Sequence, residues 1–221
     1  MVTVKNIVIS DVLEYNGVSV LTYKIEYPEF VSELYQMSLV VINKYYKTKA
    51  LEFENYCKTE LYNTIITIYK TQLEQGIQIP NFEALLEYKI TYLSLCIISL
   101  YSDRYEFVGG SHGLTTRDSQ TWNLQKSDII QLNELVGCPP DYKMYILKAI
   151  KDKIEQDKTN YFEDYEKLIK EKFNENNFYC TLKGLVIYFQ IYEIAPYAGG
   201  ISEFLILYSD CMSDPKTTCF I

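Results

Sequence analysis

The chain has 221 residues, 48% of them hydrophobic, and a formal net charge of −8. A chain of this length can bury roughly 70–75% of its unfolded surface, which is enough for one large domain or two small ones. The acidic balance argues against nucleic acid and against an anionic membrane surface, and would steer a basic partner inward.

The first predicted elements are strands. The stretch 18-VSVLTYKIEY-27 alternates, so Leu21, Tyr23, Ile25 and Tyr27 share a face. Before it, 15-YNGV-18 carries Asn-Gly, the strongest short hairpin signal, because both residues tolerate positive φ. Val8 to Tyr15 is therefore expected to pair with Val18 to Tyr27, and Pro28 to close the second strand. From Ser32 the pattern turns helical. Cys57, Leu61, Ile65 and Ile68 recur at helical spacing and Gly76 supplies a stop, so residues 31–75 read as two helices with a break near 47–52.

A strand region follows Pro80. In 87-EYKITYLSLCIISLY-101 the first half alternates and the second is apolar on both faces, which suits a central strand running on to 104-RYEF-107. The threonine-rich 114-LTTRDSQTWNL-124 returns as its partner, placing the loop 107-FVGGSHG-113 at the tip of a hairpin. Pro139-Pro140 can open a helix whose face is Tyr142, Tyr145, Ile146, Ala149, Ile150 and Lys153. Tyr161, Phe162, Tyr165, Leu168, Ile169 and Phe173 make a second apolar face. Next, 178-FYCTLKGLVIYF-189 reads as a hairpin with Lys183-Gly184 at its turn, and 203-EFLILY-208 as a last strand. Strands and helices come in blocks, which favours an α+β fold with antiparallel sheet and packed helices. Two subdomains are expected, a hairpin-plus-helices part at 1–80 and an α+β part at 81–221.

Six cysteines lie at 57, 96, 138, 180, 211 and 219, with no C-x-x-C, and His112 is the only histidine, so neither a zinc site nor any other metal or cofactor site is expected. Cys57 and Cys96 fall in apolar patterns. Mostly free thiols are expected, with only Cys211 and Cys219 plausible as a surface pair. The most apolar run, 93-LSLCIISL-100, is far shorter than the ~20 residues of a membrane span. No signal-peptide pattern opens the chain, so it is expected in the cytoplasm as it stands, and outside the membrane if it belongs to a longer protein. The 22 tyrosines fit coding bias or a tyrosine-lined surface for sugars or proteins.

Two segments are candidate sites. The first is Gly109, Gly110, Ser111, His112 and Gly113, where glycines would let the backbone approach a partner. Catalysis by His112 would need a nucleophile or carboxylate within reach, and no G-x-S-x-G elbow is present. The second is the shaped loop of Tyr192, Glu193, Pro196 and Tyr197 before Gly199-Gly200. Glu193 and Glu203 are the carboxylates that could serve a hydrolase of envelope sugars, if the fold paired them. The two loops are expected to lie side by side, with Glu193 near His112.

Three blocks carry a family resemblance: 108-VGGSHG-113 with 120-QTWNL-124, the run 178-FYCTLKGLVIYFQIYEIAPYAGGISEFLILYS-209, and the N-terminal hairpin with its helices. Together they resemble the extracellular lysozyme-sensing region of RsiV-type anti-sigma factors and the segment that precedes the catalytic domain of PdaC-type peptidoglycan deacetylases. Leu182 departs from the family, which often has Asp at that turn. The resemblance implies an α+β fold of two subdomains and a non-catalytic binding or sensor role in the cell envelope. It implies a lysozyme-type protein or a cell-wall glycan as partner. A hydrolase, or a cytoplasmic interaction module, is the alternative.

Overall fold

The computed structural model describes residues 1–77, 80–137 and 141–220. The fold is α+β, with a six-stranded sheet in the order β1-β2-β3-β4-β5-β6 and a three-stranded antiparallel sheet, β7-β8-β9. The chain divides into two compact units. One holds Met1–Tyr88 and Ser102–Thr116, the other Lys89–Tyr101 and Arg117–Ile221. Among the described residues no helix is long and apolar enough to cross a membrane.

In the first unit, β1 (Thr3–Tyr15) and β2 (Val18–Val31) form the expected hairpin, with Asn16 and Gly17 at φ 53° and 76°. β2 does not end at Pro28. It continues to Val31, and Asn43 explains how: its side chain accepts from the Phe30 N–H and donates to the Phe30 carbonyl, both at 2.8 Å. Phe30 thus turns its backbone polar groups away from β1. Pro28, two residues earlier, has the same orientation, so its missing N–H faces no ladder partner.

The helical region is one run, not two helices broken near 47–52. α1 (Gln36–Tyr56) passes through a π-helical turn at Cys57–Leu61 into α2 (Tyr62–Glu74), and Gly76 at φ 66° follows the end. Residues 47–52 contain neither Gly nor Pro, so nothing there interrupts the helix. The π turn has a packing reason. At 3.6 residues per turn, Ile65 would lie ~80° round from Cys57, off the buried stripe. The wider turn brings Ala50, Phe53, Cys57, Leu61 and Ile65 onto one face, against Tyr23, Ile25, Phe82 and Ala84 of the sheet. Each of the larger apolar side chains among them, such as Phe53, Leu61 and Ile65, contributes about 1.5–3 kcal/mol.

The helical run also sets strand direction. It returns the chain so that β3 (Phe82–Ser94) pairs with β2 in parallel, Leu21 opposite Phe82 through Ile25 opposite Leu86. The sheet is therefore mixed rather than wholly antiparallel, because a long crossover permits what a tight turn cannot.

The stretch 87–101 is not a single strand. β3 ends at Ser94, Leu95 and Cys96 turn, and β4 (Ile97–Phe107) follows. Leu95 adopts φ 52°, a conformation its side chain gives no warning of. β4 does lie centrally, with Ile97, Ile98 and Leu100 fully buried, and β5 (Leu114–Asn123) returns beside it as expected. β6 is the short Asp128–Ile129.

In the second unit, α3 (Leu132–Leu135) starts on a capping box made by Gln131 and Glu134. α4 (Tyr142–Ile154) is capped by Asp141, which accepts from the N–H groups of Lys143 and Met144, while Pro139-Pro140 lie outside the described residues. Ile146, Ile150 and Ile154 are its buried positions, and Lys153 is exposed rather than part of that face. α5 (Tyr165–Glu171) buries Tyr165 and Ile169. β7 (Phe178–Cys180), β8 (Gly184–Phe189) and β9 (Ser202–Leu207) make the small sheet. Gly184 opens β8 and serves closeness as much as turning: a Cβ there would sit 2.1 Å from the Ile206 carbonyl oxygen.

The cysteines correct the expectation of mostly free thiols. Cys96, at the β3–β4 turn, is bonded to Cys219, 123 residues away, and Cys211 is also in a disulfide. Cys211 and Cys219 are therefore not each other's partners. Cys57 and Cys180 are free and buried, and burial pushes both thiols up to about 12. Cys138 lies outside the described residues. Further bonds hold the C-terminal tail: Tyr92 donates to Asp214 at 2.7 Å, Asn123 to the Thr218 carbonyl at 3.2 Å, and Gln125 and Phe220 bond reciprocally.

Candidate functional site

The glycine–histidine loop belongs to the first unit, between β4 and β5. Gly109 and Gly110 adopt φ 101° and 86°, which a side chain would strain. Gly113 is buried for another reason: a Cβ on it would come within 2.4 Å of the Tyr105 ring. Ser111 and His112 are exposed between these fixed points. His112 places Nδ1 3.3 Å from the Gly113 carbonyl oxygen. The loop is thus a strap whose glycines fix its path and whose exposed side chains are a hydroxyl and an imidazole.

The loop from Tyr192 to Gly200 belongs to the second unit, between β8 and β9. Tyr192 holds φ 69°, unusual for an aromatic residue, is half exposed, and sits with its ring 5.7 Å from that of Tyr197. Ile194 and Ala195 are buried and anchor the loop, Pro196 is exposed, and Tyr197–Gly199 forms a short 3-10 turn that leads to Gly200 at φ 62°. Glu193 closes the near end, accepting from the Gln190 N–H at 2.7 Å. It also borders an open polar groove of about 650 Å³, with Lys143, Lys172 and Glu175 among its walls. Lys143 and Tyr142 hold the Glu175 carboxyl below its usual range. The two candidate loops lie in different units.

A third cluster, in the second unit, was not anticipated. Arg117 on β5 is nearly buried, pairs with Glu203 and lies 3.6 Å from the centre of the Tyr101 ring. Tyr179 donates to the same Glu203 carboxylate at 2.9 Å, and burial, with the Glu203 charge, raises the Tyr179 phenol. Gln190 clamps the Arg117 backbone, accepting from its N–H at 2.9 Å and donating to its carbonyl at 2.7 Å. Glu203 is thereby committed to Arg117 and Tyr179, and Glu193 to Gln190. The first unit repeats the device: Arg104 lies 4.2 Å from the Tyr56 ring and 4.6 Å from the Phe53 ring and pairs with Glu106. The chain has only these two arginines among 21 basic residues, and that scarcity was the signal that could have found them. Among the described residues no group of three His, Cys, Asp or Glu side chains is arranged to hold a metal ion.

With this geometry in place, two family models match. Residues 16–115 match "Deacetylase PdaC" and residues 127–209 match "Protein of unknown function (DUF3298)". Two solved structures share the fold. A DUF3298 family member from Bacteroides fragilis is 15% identical, with a TM-score of 0.70 over 98% of this chain and 95% of that one. A DUF3298 family protein from Pseudomonas aeruginosa PAO1 is also 15% identical, with a TM-score of 0.57 over 94% of this chain and 91% of that one. No curated protein matches the chain.

Proposed function

For a chain that carries the PdaC and DUF3298 domains found in RsiV- and PdaC-type proteins, we propose a non-catalytic binding role in the cell envelope, with a basic, lysozyme-type protein as partner. The observation that carries this reading is how the polar groups are used. The two carboxylates best suited to glycoside chemistry are engaged by the chain's own groups, Glu193 by the Gln190 N–H and Glu203 by Arg117 and Tyr179. In this reading the contact surface is supplied by the exposed side chains of the two loops, Ser111 and His112 on the glycine strap and Tyr192 and Pro196 on the other. Tyrosine and backbone-rich loops supply contact area with little loss of entropy. A net charge of −8 steers a basic protein toward the chain. The disulfides at Cys96–Cys219 and Cys211 favour an oxidising compartment, which fits an extracytoplasmic setting better than a cytoplasmic one.

Calorimetric titration with a c-type lysozyme, and separately with soluble N-acetylglucosamine–N-acetylmuramic acid oligosaccharides, tests the proposal. Lysozyme is expected to bind, with affinity falling as salt rises from about 50 to 300 mM. His112→Ala and Tyr192→Ala should each be examined alone, and at least one should weaken binding about tenfold with the melting curve unmoved. Binding of the glycan alone would move the partner class to sugar. Release of new reducing ends from the glycan, or no binding to either probe, would overturn the non-catalytic envelope reading.

A further inference from the structure

We propose that the open edge of β1 pairs with β1 of a second copy of this chain, antiparallel about a twofold axis at Val8. β1 is the terminal strand of the large sheet and runs for 13 residues, long for an edge left uncovered. Its hydrogen-bonding side follows from Asn43. Because Phe30 gives both backbone groups to Asn43, the facing pair Val4–Phe30 is not a hydrogen-bonded one. The register is unbroken from Thr3–Val31 to Leu13–Leu21, so the pairs at Asn6, Val8, Ser10 and Val12 alternate in the same way. These five residues of β1 therefore direct N–H and C=O to the open edge. Val12 agrees: its N–H donates to the Asp11 side chain, at 2.8 Å.

The side chains select the partner. In an antiparallel pairing centred on Val8, residues whose numbers sum to sixteen face each other. That register matches all five outward backbone positions, Val4 with Val12, Asn6 with Ser10, and Val8 with itself. It sets Lys5 opposite Asp11 twice, Ile7 opposite Ile9 twice, and joins the valines into a row. Val8 and Val12, each nearly half exposed, gain lateral neighbours in it. A one-step shift of centre would give up the Lys5–Asp11 match. Backbone complement, charge complement and apolar match thus converge on one register, and on a second copy rather than an unrelated strand. Lys5 already faces Glu29 at 3.6 Å, so Asp11 of the second copy would complete a row of alternating charge. Asp11 must release the Val12 N–H to do so.

The test is sedimentation equilibrium of the full chain at about 0.15 M salt, where the repulsion between two acidic copies is screened over ~8 Å. A concentration-dependent dimer is expected below about 200 µM, as for interfaces of modest area. Val8→Lys sets two ammonium groups face to face at an exposed position and should weaken the dimer about tenfold or more. Asp11→Lys should weaken it similarly, and adding Lys5→Asp should restore it, because the charges are then exchanged rather than lost. Circular dichroism confirms that each variant is folded. A monomer throughout this range overturns the proposal, as does a dimer that is indifferent to Val8→Lys or that the charge exchange does not restore.

Discussion

Arginine is where single residues decide most. Nineteen of the 21 basic residues are lysines, and a lysine would supply the same charge at positions 104 and 117. It would not supply a plane. Arg117 stacks on Tyr101 at 3.6 Å while pairing with Glu203, and a compact ammonium cannot do both. Arg117→Lys is therefore expected to cost about 1–2 kcal/mol in urea denaturation despite conserving charge. Arg104→Lys, at a more exposed site, should cost about half as much. Equal stability of Arg117→Lys and the parent would mean that stacking contributes nothing to holding Glu203. Glycine is the other residue type read from structure and not from pattern. Gly109 and Gly110 match the turn reading of the sequence, whereas Gly113 and Gly184 are set by a ring and a carbonyl that only the folded chain brings near.

Among the elements, the helical run from Gln36 to Glu74 is the instructive one. Its apolar spacing predicted helix, and helix it is, but the π turn at Cys57–Leu61 came from the sheet it covers. That account has a measurable consequence. A π turn amounts to one extra residue in an α-helix, so removing exposed Thr59 should restore a regular helix with Cys57 and Ile65 still on one face. Deletion of Thr59 is expected to cost less than about 1.5 kcal/mol. Insertion of an alanine at the same place should cost more, about 3 kcal/mol, because it turns Ile65 and the apolar positions beyond it out of the core. Thermal melts of the two variants check this, and a deletion as damaging as the insertion would show that the turn is not a packing adjustment. The β3–β4 hairpin teaches the converse. Its turn at Leu95 and Cys96 carries no glycine, asparagine or proline, so an apolar run concealed it.

For the whole molecule, the Cys96–Cys219 disulfide ties together residues far apart in the chain. Cys96–Cys219 closes a loop of 123 residues, and cross-linking so long a segment restricts the unfolded chain strongly. Cys219→Ser is expected to lower stability by about 3–5 kcal/mol and to release the tail that Tyr92 and Asn123 also hold. Guanidinium unfolding with and without reductant measures it: the parent should lose stability on reduction, and the variant should lose less. A parent indifferent to reductant would remove the oxidising compartment from the functional argument.

The sequence by itself determined the first hairpin, the helical character of the segment after it though not its continuity, the return of β5 beside β4, the three small-sheet strands and the α+β class. Each rests on a local signal: Asn-Gly at positive φ, apolar spacing near 3.6 or 2, and β-rich runs between glycines and prolines. The resemblance of residues 108–124 and 178–209 to a known family was legible for the same reason, since it is carried by contiguous residues. Tertiary structure alone decided what depends on residues far apart. It made β3 parallel to β2, carried β2 past Pro28 on the strength of Asn43, paired Cys96 with Cys219, and put Glu203 in the grip of Arg117 and Tyr179. In each case the controlling atom lies 13 or more residues away along the chain, and distance along a chain says nothing about distance in space until the core has closed.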